Sequence, residues 1–192
     1  MIVPAGSKLS PMKPVLAPPE AIAVGELVLK RWDWEWLDAT TAAVRDSLPE
    51  LSPFLGWATD GYDREAAADY TQRSVDGWAA GEEFNYVILT ADAEVAGSIG
   101  LMTRLGPGVL EIGYWTRTRF AGRGFMTAAV RALTDVALGL PGIERVAIRY
   151  DAANAASARV AAKAGFVEVE RHRREPTAPA ETEISVLSER RA

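Results

Sequence analysis

Arg119-Phe-Ala-Gly-Arg-Gly124 stands between a strand-like run, Val109–Thr116, and a helix with apolar periodicity. This stretch decides how the chain is read. Two glycines let backbone N–H groups come close to a ligand, and the helix that follows aims its unpaired N-terminal donors and positive dipole end at the same point. Arg119 and Arg123 add charge. The loop is built to hold an anionic phosphate chain, although a short Gly/Arg turn can also do no more than reverse the chain. Gly-Arg-Gly-Phe-Met-Thr127 lacks the third glycine of a dinucleotide fingerprint, and no Gly-Lys-Ser/Thr of an NTPase loop follows. Glu144 lies twenty residues after Gly124, where a ribose-binding acid would stand, but it falls in a Pro-Gly turn ahead of a strand and is set aside.

Composition narrows the classes. The 192 residues are 48% hydrophobic and 24% charged, which suits one domain with a sizeable core. No apolar run has the length of a membrane span, and the start of the chain has no continuous apolar stretch of a signal peptide, so a cytoplasmic location is expected. With no cysteine and one histidine, His172, neither disulfides nor a metal centre is expected. Charge is lopsided: 46–94 holds eleven acids against Arg64 and Arg73, and 104–174 holds twelve bases against six acids. Such a division suits an anion on one side and a cation on the other, or two ordinary solvated surfaces. Neither part interleaves aromatic and basic residues as a nucleic-acid platform does.

Along the chain, 1–19 carries five prolines and reads as a flexible arm, with one domain over 20–192. A strand is expected over 26–31, a helix over 38–47 stopped by Pro49, a loop over 51–60 and a second helix over 64–80 ended by Gly81. The period then changes to that of strands over 84–91, 94–104 and 109–116. Phe125, Ala128, Ala129, Ala132, Leu133 and Val136 are expected on the buried face of the next helix. A strand over 145–150, a helix over 154–164 and strands over 166–171 and 182–189 complete a β-α-α-β-β-β-α-β-α-β-β order. That order implies an α/β domain with one mixed sheet.

Three segments together resemble the GNAT superfamily of acetyl-CoA-dependent N-acetyltransferases, and within it the RimJ/RimL-type branch that acetylates ribosomal-protein N-termini. Arg119-x-x-Gly122-x-Gly124 is similar to the family's pyrophosphate loop, and Glu111-Ile-Gly-Tyr-Trp115 to the strand before it. Asp151-Ala-Ala-Asn154-Ala-Ala-Ser157, with Lys163-Ala-Gly165-Phe166, is similar to the branch's Asn-x-x-Ser and Lys-x-Gly-Phe signature. The likeness runs over about 25–189, and 32–80 matches in element order alone. It implies a central sheet whose strands splay, with the backbone of Tyr114, Trp115 and Thr116 pairing with the pantetheine arm of acetyl-CoA. It also implies that Arg119 and the donors of Gly122, Arg123, Gly124, Phe125 and Met126 wrap the pyrophosphate, with no metal.

The same resemblance assigns the remaining roles. Asn154 bonds the pantetheine arm, a role compatible with capping the helix that follows, and Lys163 meets the CoA end unless it is a solvated helix-end lysine. Many relatives carry a catalytic tyrosine on this helix; that position is Ala161 here, so Ser157 becomes the proton donor to the thiolate. Glu111 is the candidate general base, against a structural carboxylate; Asp60, Glu82, Glu83 or a water relay are the alternatives. The tryptophans read as packing residues, with Trp57 and Trp78 in the acceptor segment. The partner implied is a primary amine, either a protein N-terminus or a small molecule such as an aminoglycoside, polyamine or amino acid. A homodimer is compatible with the pattern, and no nucleic acid or membrane is expected. A CoA-binding sensor without turnover is the reading from a different class.

Overall fold

Hairpin pairing begins one strand earlier than the sequence suggests. The computed structural model describes residues 17–191, so most of the arm expected over 1–19 lies outside the described residues. At its end, the Tyr86 hydroxyl donates to the Pro19 carbonyl at 2.7 Å. Strand β1 (Ala21–Val24) pairs with β2 (Leu27–Arg31) across Gly25-Glu26, with Val24 opposite Leu27. Gly25, at φ +60°, takes the left-handed conformation that a two-residue hairpin turn requires. Four residues beside a proline-rich stretch gave too short a pattern to read as a strand.

The next segment is also more divided than expected. Asp33 accepts a hydrogen bond from the Trp34 N–H and opens a 3-10 turn, Trp34–Trp36, which leads into α1 (Leu37–Arg45). Pro49 does not simply stop this helix. It sits in the first turn of a new short helix, α2 (Leu48–Leu51), where its missing N–H costs nothing. Helix α3 (Arg64–Ala80) is capped by Asp63 and ends at Gly81, as expected, with φ +71°.

Strands β3 (Glu83–Leu89), β4 (Val95–Met102) and β5 (Val109–Thr116) form an antiparallel meander. Helix α4 (Phe125–Leu138) then crosses over to β6 (Arg145–Asp151), which lies parallel to β5. After α5 (Ala155–Lys163), β7 (Val167–Arg173) and β8 (Ile184–Arg191) complete an eight-stranded mixed sheet in the order β1-β2-β3-β4-β5-β6-β8-β7. The last strand thus enters between β6 and β7.

The sheet is covered on both faces, which is why β3 and β4 read as nearly continuous apolar runs. Alternate residues go to opposite cores. Phe84, Tyr86, Ile88, Ile99, Leu101, Leu110 and Ile112 join Ala129, Val130 and Leu133 of α4. Val87, Leu89, Val95 and Trp115 join Trp32, Val44 and Leu51 on the α1–α3 side. The buried stripe of α4 is Met126, Ala129, Val130, Leu133, Thr134 and Ala137, one position round from the expected stripe. Gly124 enters the helix at φ +82°, turning Met126 to the core, and Phe125 stacks on Phe120 instead at 6.0 Å.

Asp151, at the end of β6, ties the returning chain to the sheet. Its carboxylate accepts from Ala153 N–H (2.9 Å), Thr182 N–H (3.0 Å) and the Thr182 hydroxyl (2.9 Å). Burial alone would raise its pKa, but these donors, with the Arg174 charge, outweigh burial and hold it below the usual carboxylate range. A depressed pKa stabilises the fold above the unfolded-state value, and that gain is lost as pH falls through the folded-state value. Asp151→Asn is therefore expected to cost about 1–3 kcal/mol at pH 7 in urea unfolding. The gap from wild type should persist down to about pH 4, the ordinary aspartate range, and close below it.

Candidate active site

Strands β5 and β6 pair only from Val109 opposite Arg145 to Ile112 opposite Ile148. Beyond that point β5 stays with β4 as far as Thr116, and β6 stays with β8 as far as Asp151. A notch opens between the two strands. Along it the backbone groups of Tyr114 and Thr116, which point away from β4, have lost their strand partner. Gly97 helps set this edge: at φ +155°, a Cβ there would meet the Trp115 carbonyl oxygen at 2.2 Å, so only glycine lets β4 and β5 lie this close.

The 119–124 loop follows at the mouth of the notch. Thr118–Phe120 form a 3-10 turn, after which Gly122 (φ +77°) and Gly124 (φ +82°) take left-handed conformations. A Cβ on either glycine would meet nothing within 4 Å, so open space lies above the loop. Among the described residues the N–H groups of Gly122, Arg123 and Gly124 have no hydrogen-bond partner, and Gly124 gives α4 no side-chain cap. The first intrahelical donor onto Gly124 O is Ala128, which leaves Phe125, Met126 and Thr127 N–H free as well. This row of donors at a helix N-terminus fits a pyrophosphate. Met126 and Trp115 have buried side chains, so any contact they make to a ligand comes from their backbone. Arg119 and Arg123 both stack on the Phe120 ring, and Arg119 pairs with Glu94 at 2.5 Å.

Across the notch, Asn154 caps α5 by accepting from the Ser157 N–H at 3.0 Å. Its amide nitrogen takes no part in this bond and stays available to a ligand. Ser157 Oγ lies 2.7 Å from Tyr114 Oη, a contact that joins α5 to β5 through side chains. Burial pushes the Tyr114 phenol up to about 12, against the lowering effect of the Ser157 bond. Lys163 is exposed in the last turn of α5, about 9 Å along the axis from Ser157. Its carbonyl accepts from Arg131.

Glu111 occupies the other face of β5. It is 1% exposed, and both carboxylate oxygens take hydrogen bonds at 2.7 Å from the Arg104 guanidinium, with Arg149 at 4.0 Å. Alternation along the strand puts it on the face of Trp115 and opposite that of Tyr114. The structure therefore does not bring Glu111 and Ser157 together.

The chain leaving β5 is tied to the junction of α1 and α2. Thr118 N–H donates to Ser47 Oγ at 3.0 Å, its hydroxyl donates to Glu50 at 2.9 Å, and Arg117 pairs with Asp46. Part of the acidic excess over 46–94 is thus taken up by Arg117 and Arg119, at the start of the 119–124 loop. Asp60, Glu65, Asp69, Glu82, Glu83 and Asp92 keep no basic partner among the described residues. Trp78 is buried against Phe84 and Tyr86, whereas Trp57 is 46% exposed beside Tyr62. The described residues include no cluster of metal-ligand type and no helix long and apolar enough to cross a membrane.

Sequence reasoning missed three contributors: the Tyr114 side chain, Arg104 on Glu111, and Asp151 on Thr182. For Asp151 a signal existed. Asp-Ala-Ala-Asn is an Asx turn running into a helix cap, and Asp151 accepts from the N–H two residues on.

No curated protein matches the chain by sequence. Solved structures match its fold across most of its length. The Salmonella typhimurium acetyltransferase that modifies the N-terminal serine of ribosomal protein L7/L12 has 22% identity and a TM-score of 0.80, covering 90% of this chain and 99% of its own. The microcin C7 self-immunity acetyltransferase MccE, solved with acetyl-CoA and AMP, has 16% identity and a TM-score of 0.83, over 93% and 99% of the two chains. Mycobacterium smegmatis RimJ, solved with a CoA disulfide, has 20% identity and a TM-score of 0.75, over 92% and 86%.

If the 122–126 donors hold phosphate, a β-branched residue at Gly124 both strains the left-handed turn and fills the open space above it. Calorimetry on folded Gly124→Val should show CoA affinity lowered by about tenfold or more, equivalent to about 1.4 kcal/mol. Unchanged affinity would place the phosphates elsewhere. The sequence profile of the acetyltransferase (GNAT) domain matches residues 26–167, and the chain belongs to that family.

Proposed function

We propose that this acetyltransferase moves the acetyl group of acetyl-CoA to a primary amine, the N-terminal amine of a protein or peptide. The observation that carries the reading is the notch. A free strand edge, a row of unpaired N–H donors and a capped helix bearing Asn154 and Ser157 converge at the point where β5 leaves β6. Family membership and the fold shared with ribosomal-protein acetyltransferases support the acceptor class.

Acetyl-CoA supplies an activated thioester; the protein supplies position, charge complementarity and proton management. Gly122, Arg123, Gly124, Phe125 and Met126 hold the pyrophosphate through their N–H groups. The free edge of Tyr114–Thr116 pairs with the pantetheine arm as an added strand would, and an N–H on that edge faces the carbonyl oxygen as negative charge grows on it. Asn154 offers its amide to the same arm, and the Ser157 hydroxyl meets the departing sulfur. Helices α4 and α5 take up the donor face, so the amine arrives from the α1–α3 side.

Glu111 is not the base in this scheme. Both its oxygens already accept from Arg104, and it lies on the strand face away from Ser157. Its place is structural, holding the turn after β4 against β5, and water carries the proton from the amine. An α-amine titrates near 8, so water suffices at neutral pH, and catalytic efficiency should fall as pH drops below about 7.

Turnover of acetyl-CoA over an amine panel, from peptides with free N-termini to polyamines and aminoglycosides, tests the acceptor. The expected result is activity on a peptide with an N-terminal serine. Its efficiency should fall with ionic strength when a lysine follows, because the unpaired acids of the α3 side attract the added charge. Activity confined to small amines would overturn the peptide reading. Ser157→Ala is expected to lower kcat about a hundredfold, with CoA affinity little changed.

A further inference from the structure

The hydroxyl pair between β5 and α5 bears on how Ser157 acts. Tyr114 Oη stands 2.7 Å from Ser157 Oγ and 3.3 Å from the Ser157 carbonyl oxygen. Each hydroxyl owns a single hydrogen. If Tyr114 gives its hydrogen to the carbonyl, the 2.7 Å contact is made by the Ser157 hydrogen, which then points at the ring and away from the notch. If Tyr114 instead donates to Ser157 Oγ, the Ser157 hydrogen is released to point into the notch. Either hydroxyl can make the 2.7 Å bond, and the 3.3 Å contact lies outside the about 2.5–3.0 Å that hydroxyl donors prefer, so the carbonyl gives the first arrangement only a small advantage over the second. A growing anion in the notch favours the second, because a Tyr-to-Ser-to-anion chain polarises each bond in turn.

We infer that Tyr114 is a positioning residue for Ser157: its phenol occupies a Ser157 lone pair and turns the serine hydrogen toward the sulfur of CoA. The inference rests on the proposed role of Ser157. During transfer the carbon–sulfur bond breaks and its electron pair stays on sulfur, while the new carbon–nitrogen bond takes its pair from the amine. The proton that the amine loses to water balances the one that finally neutralises the thiolate. Neither hydroxyl ends the cycle ionised. Tyr114 is well suited to this, because burial raises its phenol to about 12, far above a thiol near 8.5, so it stays a donor while the thiolate exists. Tyr150, on β6, is the other titratable side chain acting on it.

The test needs no acceptor. Calorimetry at about pH 9, where an ordinary thiol is mostly ionised, compares CoA with desulfo-CoA, which lacks the sulfur. Wild type should prefer CoA. Tyr114→Phe, which keeps the ring and its packing, should cut that preference about three- to tenfold, the worth of one hydrogen bond. Ser157→Ala should cut it at least as much, and the double variant no more than Ser157→Ala alone. A purely structural role would shift both affinities together and leave their ratio unchanged. Loss of preference in Ser157→Ala with none in Tyr114→Phe, or simple addition in the double variant, overturns the role of Tyr114 and leaves Ser157 standing. A preference unchanged in every variant, or absent from wild type, means that Ser157 does not meet the sulfur, and both readings fall.

Discussion

The parting of β5 from β6 after Ile112 and Ile148 is the constraint around which the molecule is built. A backbone edge inside a covered sheet cannot be left without partners, because a buried N–H or carbonyl that gives up water for nothing costs on the order of 1–3 kcal/mol. Two solutions exist. The strands can close, or the open edge can remain in contact with solvent and ligands. Here the edge stays open, and the rest of the fold keeps it so. On one side β4 holds β5 through six consecutive register positions, with Gly97 allowing close approach at the end. On the other side β8 holds β6 over its whole length, so β6 needs nothing from β5 beyond Ile148.

Insertion of β8 between β6 and β7 is therefore part of the site. It completes the hydrogen bonding of β6 from the far side, and Asp151 fastens the returning chain at Thr182, beside the start of α5. The loop before β8 is stiffened in the same way. Glu181, with a side chain 4% exposed, accepts from Thr177 and Ala178 N–H and pairs with Arg174. This loop also rests on the acceptor-side segment, where Ala180 N–H donates to Pro53 O at 2.9 Å, and Gly56 leaves no room for a Cβ against Thr177. Helix α5 thus starts from a fixed point, and the cap that fixes it presents Ser157 to the strand edge.

A second coupling runs between the donor and acceptor sides. The turn that begins the 119–124 loop is held by Ser47, Glu50 and Asp46, at the junction of α1 and α2. Part of the charge asymmetry in the sequence is internal balance of this kind: Asp46 with Arg117, and Glu94 with Arg119. Such half-exposed pairs are individually weak and screened by salt. They still set the position of the 119–124 loop, and with it the direction of its unpaired N–H groups.

The local physics of the chain was legible in its order of residues. The Gly122 and Gly124 turn, the unpaired start of α4, the Asn154 cap on α5 and the alternation that makes β3 to β5 a meander all follow from near neighbours, whose chemistry is printed in sequence. Register and partnership were not. Nothing local to Glu111 says that Arg104 and Arg149 would close on it, because those contacts depend on the return of a hairpin and of a parallel strand. Nor does anything around Tyr114 announce Ser157, 43 residues away. The stripe of α4 was misplaced by one position for the same reason: period shows that a helix has a buried face, but the left-handed residue at its entry and the sheet it lands on decide which face that is. Sequence alone determined most of the elements and the turn at Gly122 and Gly124, since both are set by backbone conformation and hydrogen bonds within a few residues. Tertiary structure alone decided which hydroxyl meets which and where the sheet stays open, since those depend on strands brought together from distant parts of the chain.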